Sequence, residues 1–125
     1  MIRLSELLVI VAYALFLAGA ARSFRTEGDR YARLAMFFAV LLDMLAAFLP
    51  AIGLQSPMQL APERKPFVGA AVLTGVFVWM LSGTLLAIYS PKRLGWYHAL
   101  VLATEIMWFI DIMMFMYGAY GSIRL

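Results

Sequence analysis

Four stretches of this chain, residues 4–21, 34–53, 67–89 and 96–117, run for 18 to 23 residues each with hardly a charge, and they leave little chain over for anything else. A helix rises ~1.5 Å per residue, so each stretch is close to the ~20 residues needed to cross ~30 Å of hydrocarbon. In lipid every backbone amide and carbonyl must be bonded internally, which leaves helices and closed barrels as the only spanning structures. Runs this long, without alternation of apolar and polar residues, select the helix. The sequence therefore predicts an all-α integral membrane protein, with residues 1–125 forming one transmembrane four-helix bundle of two consecutive hairpins.

Composition agrees. Hydrophobic residues make up 65% of the 125 and charged residues only 14%, against roughly 45–50% apolar in soluble domains. The first span follows Arg3 and carries an apolar run over 7–17 and the small triplet Ala18-Gly19-Ala20, which together imitate a secretory signal. We read it as a retained helix, the first of the four. Cysteine is absent, which excludes disulfides, thiolate metal sites and thiol redox chemistry. A net charge of +3 without a long basic tract points to lipid headgroups rather than nucleic acid.

The basic residues also predict orientation. The connection 22–33 holds Arg22, Arg25, Arg30 and Arg33, candidate lipid-headgroup contacts, and the turn 90–95 adds Lys92 and Arg93. The other side has Arg3, Arg64, Lys65 and Arg124. The positive-inside rule then puts both termini outside. The connector 54–66 contains Pro57, Pro62 and Pro66 and is expected to be extended.

Ala71, Gly75, Trp79, Gly83 and Ala87 recur every four residues, which predicts a helix-packing face of small side chains at Ala71, Gly75, Gly83 and Ala87, within the bundle or, as the alternative, against a partner subunit. Gly95, Ala99 and Ala103 repeat the pattern in the last span, while Tyr89, Trp96, Tyr97, Tyr117 and Tyr120 read as rings at headgroup level. Leu17-Ala18-Gly19 followed by Asp43 has a faint echo in Leu81-Ser82-Gly83 followed by Asp111, as a duplicated hairpin would give.

The candidate functional residues are acids. Asp43, Glu105 and Asp111 lie inside the spans with no Lys or Arg beside them, where a charge costs at least ~2.5–3.5 kcal/mol and usually marks a site. Counted from the helix starts, Asp43 and Glu105 both lie about 13 Å into the membrane, Asp111 about 9 Å further, and Glu6 near the outer end of the first helix. His98 lies near the opposite end. Read in depth order they outline a polar route between the two interfaces, although Glu105 and Asp111 are about 120° apart around their helix. Three roles fit: interhelical contacts to hydroxyls such as Thr74, Ser82, Thr84 and Thr104, a proton or cation path, or an intersubunit contact with a partner's basic residue.

Nine methionines invite a copper reading, but Met113 and Met114 project about 100° apart and His98 lies 15 residues away, so flexible packing is the expected role and no metal site is predicted. No cofactor is predicted; the residual possibility is haem or pigment through His98, and a bis-histidine haem would need a second imidazole, which the chain lacks.

Leu17-Ala18-Gly19, an arginine-rich connection and Arg33-Leu34-Ala35-Met36 opening the second helix resemble the CtaM-type four-helix bacterial membrane family linked to cytochrome oxidase assembly. That family carries several histidines at helix ends, where this chain has residues such as Tyr31 and Thr74 and keeps only His98. The resemblance implies a redox-membrane context. Small multidrug transporters have a similar size, but their essential glutamate lies in the middle of the first helix, whereas Glu6 is near its end.

With no soluble domain, nucleophile constellation or cofactor motif, the reading leans away from an enzyme. The first expectation is a small non-catalytic subunit or assembly partner of a larger respiratory or redox complex in a bacterial cytoplasmic membrane, in contact with other membrane subunits and the bilayer. The alternative is a small proton-coupled transporter or channel, possible as a homo-oligomer, using Asp43, Glu105 and Asp111.

Overall fold

The structure, a computed structural model, describes residues 4–49, 52–53 and 65–120. It contains helix α1 (Leu4–Thr26), α2 (Arg30–Phe48), α3 (Lys65–Ala87) and α4 (Leu94–Tyr120), the last preceded by a single 3-10 turn, Pro91–Arg93. All four helices are long and apolar enough to cross a membrane. They pair in sequence as two antiparallel hairpins, α1 with α2 and α3 with α4, as expected for an all-α membrane bundle.

The helices overrun the apolar stretches at the arginine-rich end. Residues 22–33, expected as a loop, are helical except for 27–29. Hydropathy drops at the first arginine, whereas arginine is a good helix former whose stem lies along the apolar surface while its charge reaches water. The turn closes tightly. Glu27 and Gly28 take φ of 58° and 76°, and Gly28 N–H donates 2.9 Å to the Ser23 carbonyl, the bond that ends a helix in a Schellman motif. Asp29 then caps α2 by accepting from Ala32 N–H at 2.9 Å. Of the connector 54–66, only Lys65 and Pro66 lie among the described residues, in the first turn of α3, where proline loses no helical bond.

The buried seams follow steps of three and four in alternation. They run through Ala12, Phe16, Gly19 and Ser23 in α1, Ala32, Met36, Ala39, Asp43 and Ala46 in α2, Ala71, Val78, Ser82 and Leu85 in α3, and Tyr97, Val101, Thr104 and Trp108 in α4. This spacing keeps one stripe facing a partner helix crossed at a shallow angle. As a packing face within the chain, the every-fourth-residue row holds only over its first part. Each step of four overshoots a full turn by about 40°, so the row winds off the interface: Ala71 is buried and Gly75 half-buried, but Gly83 and Ala87 are exposed. A Cβ added at Gly83 or Gly95 would touch nothing, whereas one at Gly19 would lie 3.0 Å from Ala35 Cβ and 3.1 Å from the Ala32 carbonyl oxygen. Gly19 thus marks the close helix approach, and the echoed glycines Gly19 and Gly83 occupy different environments.

The hairpins are clamped together at the turn 27–29. Tyr89 donates through its hydroxyl to the Glu27 carbonyl at 3.1 Å, and the Arg33 guanidinium lies 4.1 Å above the Tyr89 ring. Arg33 Nε also donates to the Gly28 carbonyl at 3.1 Å. Tyr97, expected at headgroup level, is instead fully buried and accepts from Ser23 Oγ at 3.3 Å; Trp96 beside it faces outward. Below the clamp Trp108 packs against the rings of Tyr13 and Phe16 at 5.5 and 5.3 Å.

An acid-lined cavity between the hairpins

Toward the end of the bundle opposite the clamp, the hairpins part around a cavity of about 450 Å³. Three helices each bring one carboxyl to its wall: Glu6 from the first turn of α1, Asp43 from α2 and Asp111 from α4. The rest of the lining is apolar and includes Phe48, Val72, Val76 and Phe115. Among the described residues no basic side chain lines it.

Local sequence explains each placement. Asp43 and Asp111 stand on the seam positions that follow Ala39 and Trp108, so the same heptad that buries those residues turns the carboxyls inward. Glu6, in the first turn of α1, is turned inward and buried, whereas Leu4 and Leu7 beside it are exposed. Gly75 leaves room opposite Asp111: a Cβ there would lie 3.6 Å from Asp111 Oδ2.

Asp43 has a partner that sequence reasoning missed. Trp79 Nε1–H donates a 2.7 Å hydrogen bond to Asp43 Oδ2, across from α3 to α2. The indole also lines the cavity and packs against the Phe48 ring at 6.2 Å. The available signal was a tryptophan in mid-span, since an indole N–H taken out of water needs an acceptor and the spans offer few besides the acids.

Asp43 and Glu105, expected at one depth, do not share the cavity, which gathers Asp43 with Asp111 and Glu6. Glu105 is not in the cavity lining; it is half-buried on another side of α4, where its backbone carbonyl accepts from Tyr13 Oη at 3.0 Å. The rotation of about 120° between Glu105 and Asp111 accounts for the separation. His98 is further still, its Nε2 3.2 Å from the Ser23 carbonyl and its ring 4.5 Å from that of Phe24. Between His98 and the cavity lie the fully buried Phe16, Leu85, Val101 and Trp108, together with the buried hydroxyls of Ser82 and Thr104. The hydroxyls expected as interhelical partners of the acids turn elsewhere: Thr74, Thr84 and Thr104 each donate to the carbonyl four residues back in their own helix.

The arginine cluster divides. Arg22 makes a bidentate contact to Asp29 with a shortest distance of 2.9 Å and lies over the Tyr31 ring, and Arg33 is part of the clamp. Arg25 and Arg30 remain exposed. The Arg22 guanidinium, helped by the Ala32 amide, holds the Asp29 carboxyl down at about 2.

Among the described residues no three histidine or acidic groups stand close enough to ligate one metal ion. What the cavity offers chemically is dispersed carboxyl groups, an oriented indole and apolar walls. Comparison with protein-family models, with curated proteins and with solved structures gives no match to this chain.

Proposed function

We propose that this chain is a small proton-coupled membrane transporter whose working site is the cavity between its hairpins. The observation that carries the reading is the convergence of carboxyls from three different helices on one space within the spans, clamped and filled at one end and parted at the other. Intramembrane acids facing an interior cavity are expensive to place there and commonly mark proton relays and ion sites. In this reading Asp43 and Asp111 bind and release the coupling proton, and Glu6 lies toward the end at which the cavity communicates with the outside. Access from the second side requires the contacts of Tyr89 with Glu27 and Arg33 to open and the rings of Phe16 and Trp108 beneath them to part. Glu105, outside the cavity, takes no part.

The test is proton flux. Purified protein in liposomes enclosing a pH-sensitive dye is expected to move protons across the bilayer, and Asp43→Asn and Asp111→Asn to abolish the movement. Absence of flux, or flux unchanged by both substitutions, sinks the reading.

A second reading has its own observation. Phe48, Val72 and Val76 line the cavity and are also exposed, so the space reaches the outer surface between α2 and α3. A helix of another subunit bearing a Lys or Arg fits such an opening, which would make the chain a non-catalytic subunit or assembly partner of a larger complex. The CtaM-type resemblance points such a complex toward respiration in a bacterial cytoplasmic membrane, with both termini outside by the positive-inside rule. Purification in mild detergent discriminates: a co-purifying polypeptide lost on Asp43→Asn or Asp111→Asn favours the subunit, and a monodisperse single polypeptide excludes it.

A further inference from the structure

We infer that the cavity binds a monovalent lipophilic organic cation, of the size and character of a quaternary phosphonium or aromatic ammonium ion. This rests on the transporter reading and names the class of its substrate. Four features of the site converge on that class. The volume, about 450 Å³, lies within the range of roughly 300–1,000 Å³ that holds drug-sized ligands. The lining is mostly apolar and aromatic, with Trp79, Phe48 and Phe115 contributed by three helices. Among the described residues Asp43 and Asp111 put carboxyls on two sides of the space, to which a cation is the complementary occupant.

The fourth feature is the separation of those carboxyls. No three acidic or imidazole groups among the described residues are close enough to ligate one metal ion. A small, strongly hydrated cation would lose its water here without gaining a ligand shell. An ion whose charge is spread over an apolar body meets both needs: it fills the walls and presents positive charge to acids on more than one side. Trp79 adds an indole, the aromatic side chain that attracts cations best, fixed in place by its 2.7 Å bond to Asp43. Gly75 contributes by absence, since any larger side chain there would grow into the space beside Asp111.

The experiment is equilibrium dialysis of the purified full chain in detergent against tetraphenylphosphonium, with triphenylphosphine oxide as a neutral probe of similar shape. Saturable binding of about one phosphonium per chain is expected, with no saturable binding of the neutral probe. Asp111→Asn and Asp43→Asn are each expected to weaken binding at least tenfold, Gly75→Leu to remove it by filling the space, and Glu105→Gln to leave it unchanged. The comparison of charged and neutral probes needs no variant, so a misfolded mutant does not remove the test. Absence of saturable phosphonium binding, equal binding of the neutral probe, or binding indifferent to both aspartate substitutions overturns the inference. So does a co-purifying polypeptide that blocks the site. Proton flux in liposomes without phosphonium binding leaves the transporter reading standing and ends this inference, whereas binding without any flux does the reverse.

Discussion

Trp79 and Asp43 are joined by a 2.7 Å hydrogen bond that ties the first hairpin to the second at the cavity wall. The bond gives a buried carboxyl its donor and fixes the ring that faces the same space. Trp79→Phe keeps most of the ring and removes the donor, so it is expected to destabilise the protein by about 1–3 kcal/mol, the cost of leaving a buried polar group unpaired. Asp43→Leu combined with Trp79→Phe is expected to cost less than the sum of the single changes. Thermal unfolding in detergent, followed by circular dichroism for the four variants of the cycle, measures the coupling. Strict additivity would show that the bond contributes nothing.

Gly19 and Gly83 look alike in the sequence and are expected to respond in opposite ways. Gly19→Ala places a methyl group 3.0 Å from Ala35 Cβ and 3.1 Å from a backbone oxygen that cannot move aside freely, so α1 and α2 must separate at a cost of about 1–3 kcal/mol. Gly83→Ala meets no atom and is expected to be neutral or stabilising by up to about 1 kcal/mol through reduced chain entropy. Equal melting temperatures for the two variants would refute the packing described for the first hairpin.

Two buried serines differ in the same manner. Ser82 Oγ has no partner among the described residues and is almost fully buried, so Ser82→Ala removes an unsatisfied group and is expected to raise the melting temperature slightly. Ser23 Oγ donates to Tyr97 Oη at 3.3 Å and lies 3.2 Å from His98 Nε2. Ser23→Ala is therefore expected to lower stability by about 1 kcal/mol. The sign of the two shifts in one thermal assay is the readout.

The pair Arg22 and Asp29 predicts a pH dependence at the turn. The Asp29 carboxyl is held at about 2 in the folded protein, below its ordinary value of 3.8. A folded-state value below the unfolded one means a stabilising contribution that is fully present above about pH 4 and is lost as pH falls toward about 2. Asp29→Asn retains a capping side chain but not the charge, so the difference in melting temperature between wild type and this variant is expected to be constant above pH 4 and to vanish near pH 2. A difference that persists at pH 2 would assign the effect to capping geometry instead.

The sequence by itself determined the solvent, the number of helices and their pairing. Four apolar runs of spanning length admit one secondary structure in lipid, and the short connections between the first two and the last two runs leave hairpins as their only packing. It also determined which groups were out of place, since Asp43 and Asp111 are anomalous in hydrocarbon whatever surrounds them. Only the tertiary structure decided where they point. Lipid-facing and core-facing side chains are equally apolar in such a chain, so hydrophobic periodicity carries almost no rotational information. That is why the spacing of Gly83 and Ala87 suggests a buried face while both are exposed, and why Tyr97, near the end of an apolar run, suggests a surface ring while it lies in the core. Depth along a helix follows from counting residues, but rotation about it follows from contacts. Counting gives Asp43 and Glu105 one depth, and contacts gather Asp43 with Asp111, Glu6 and Trp79 around a cavity that Glu105 does not line.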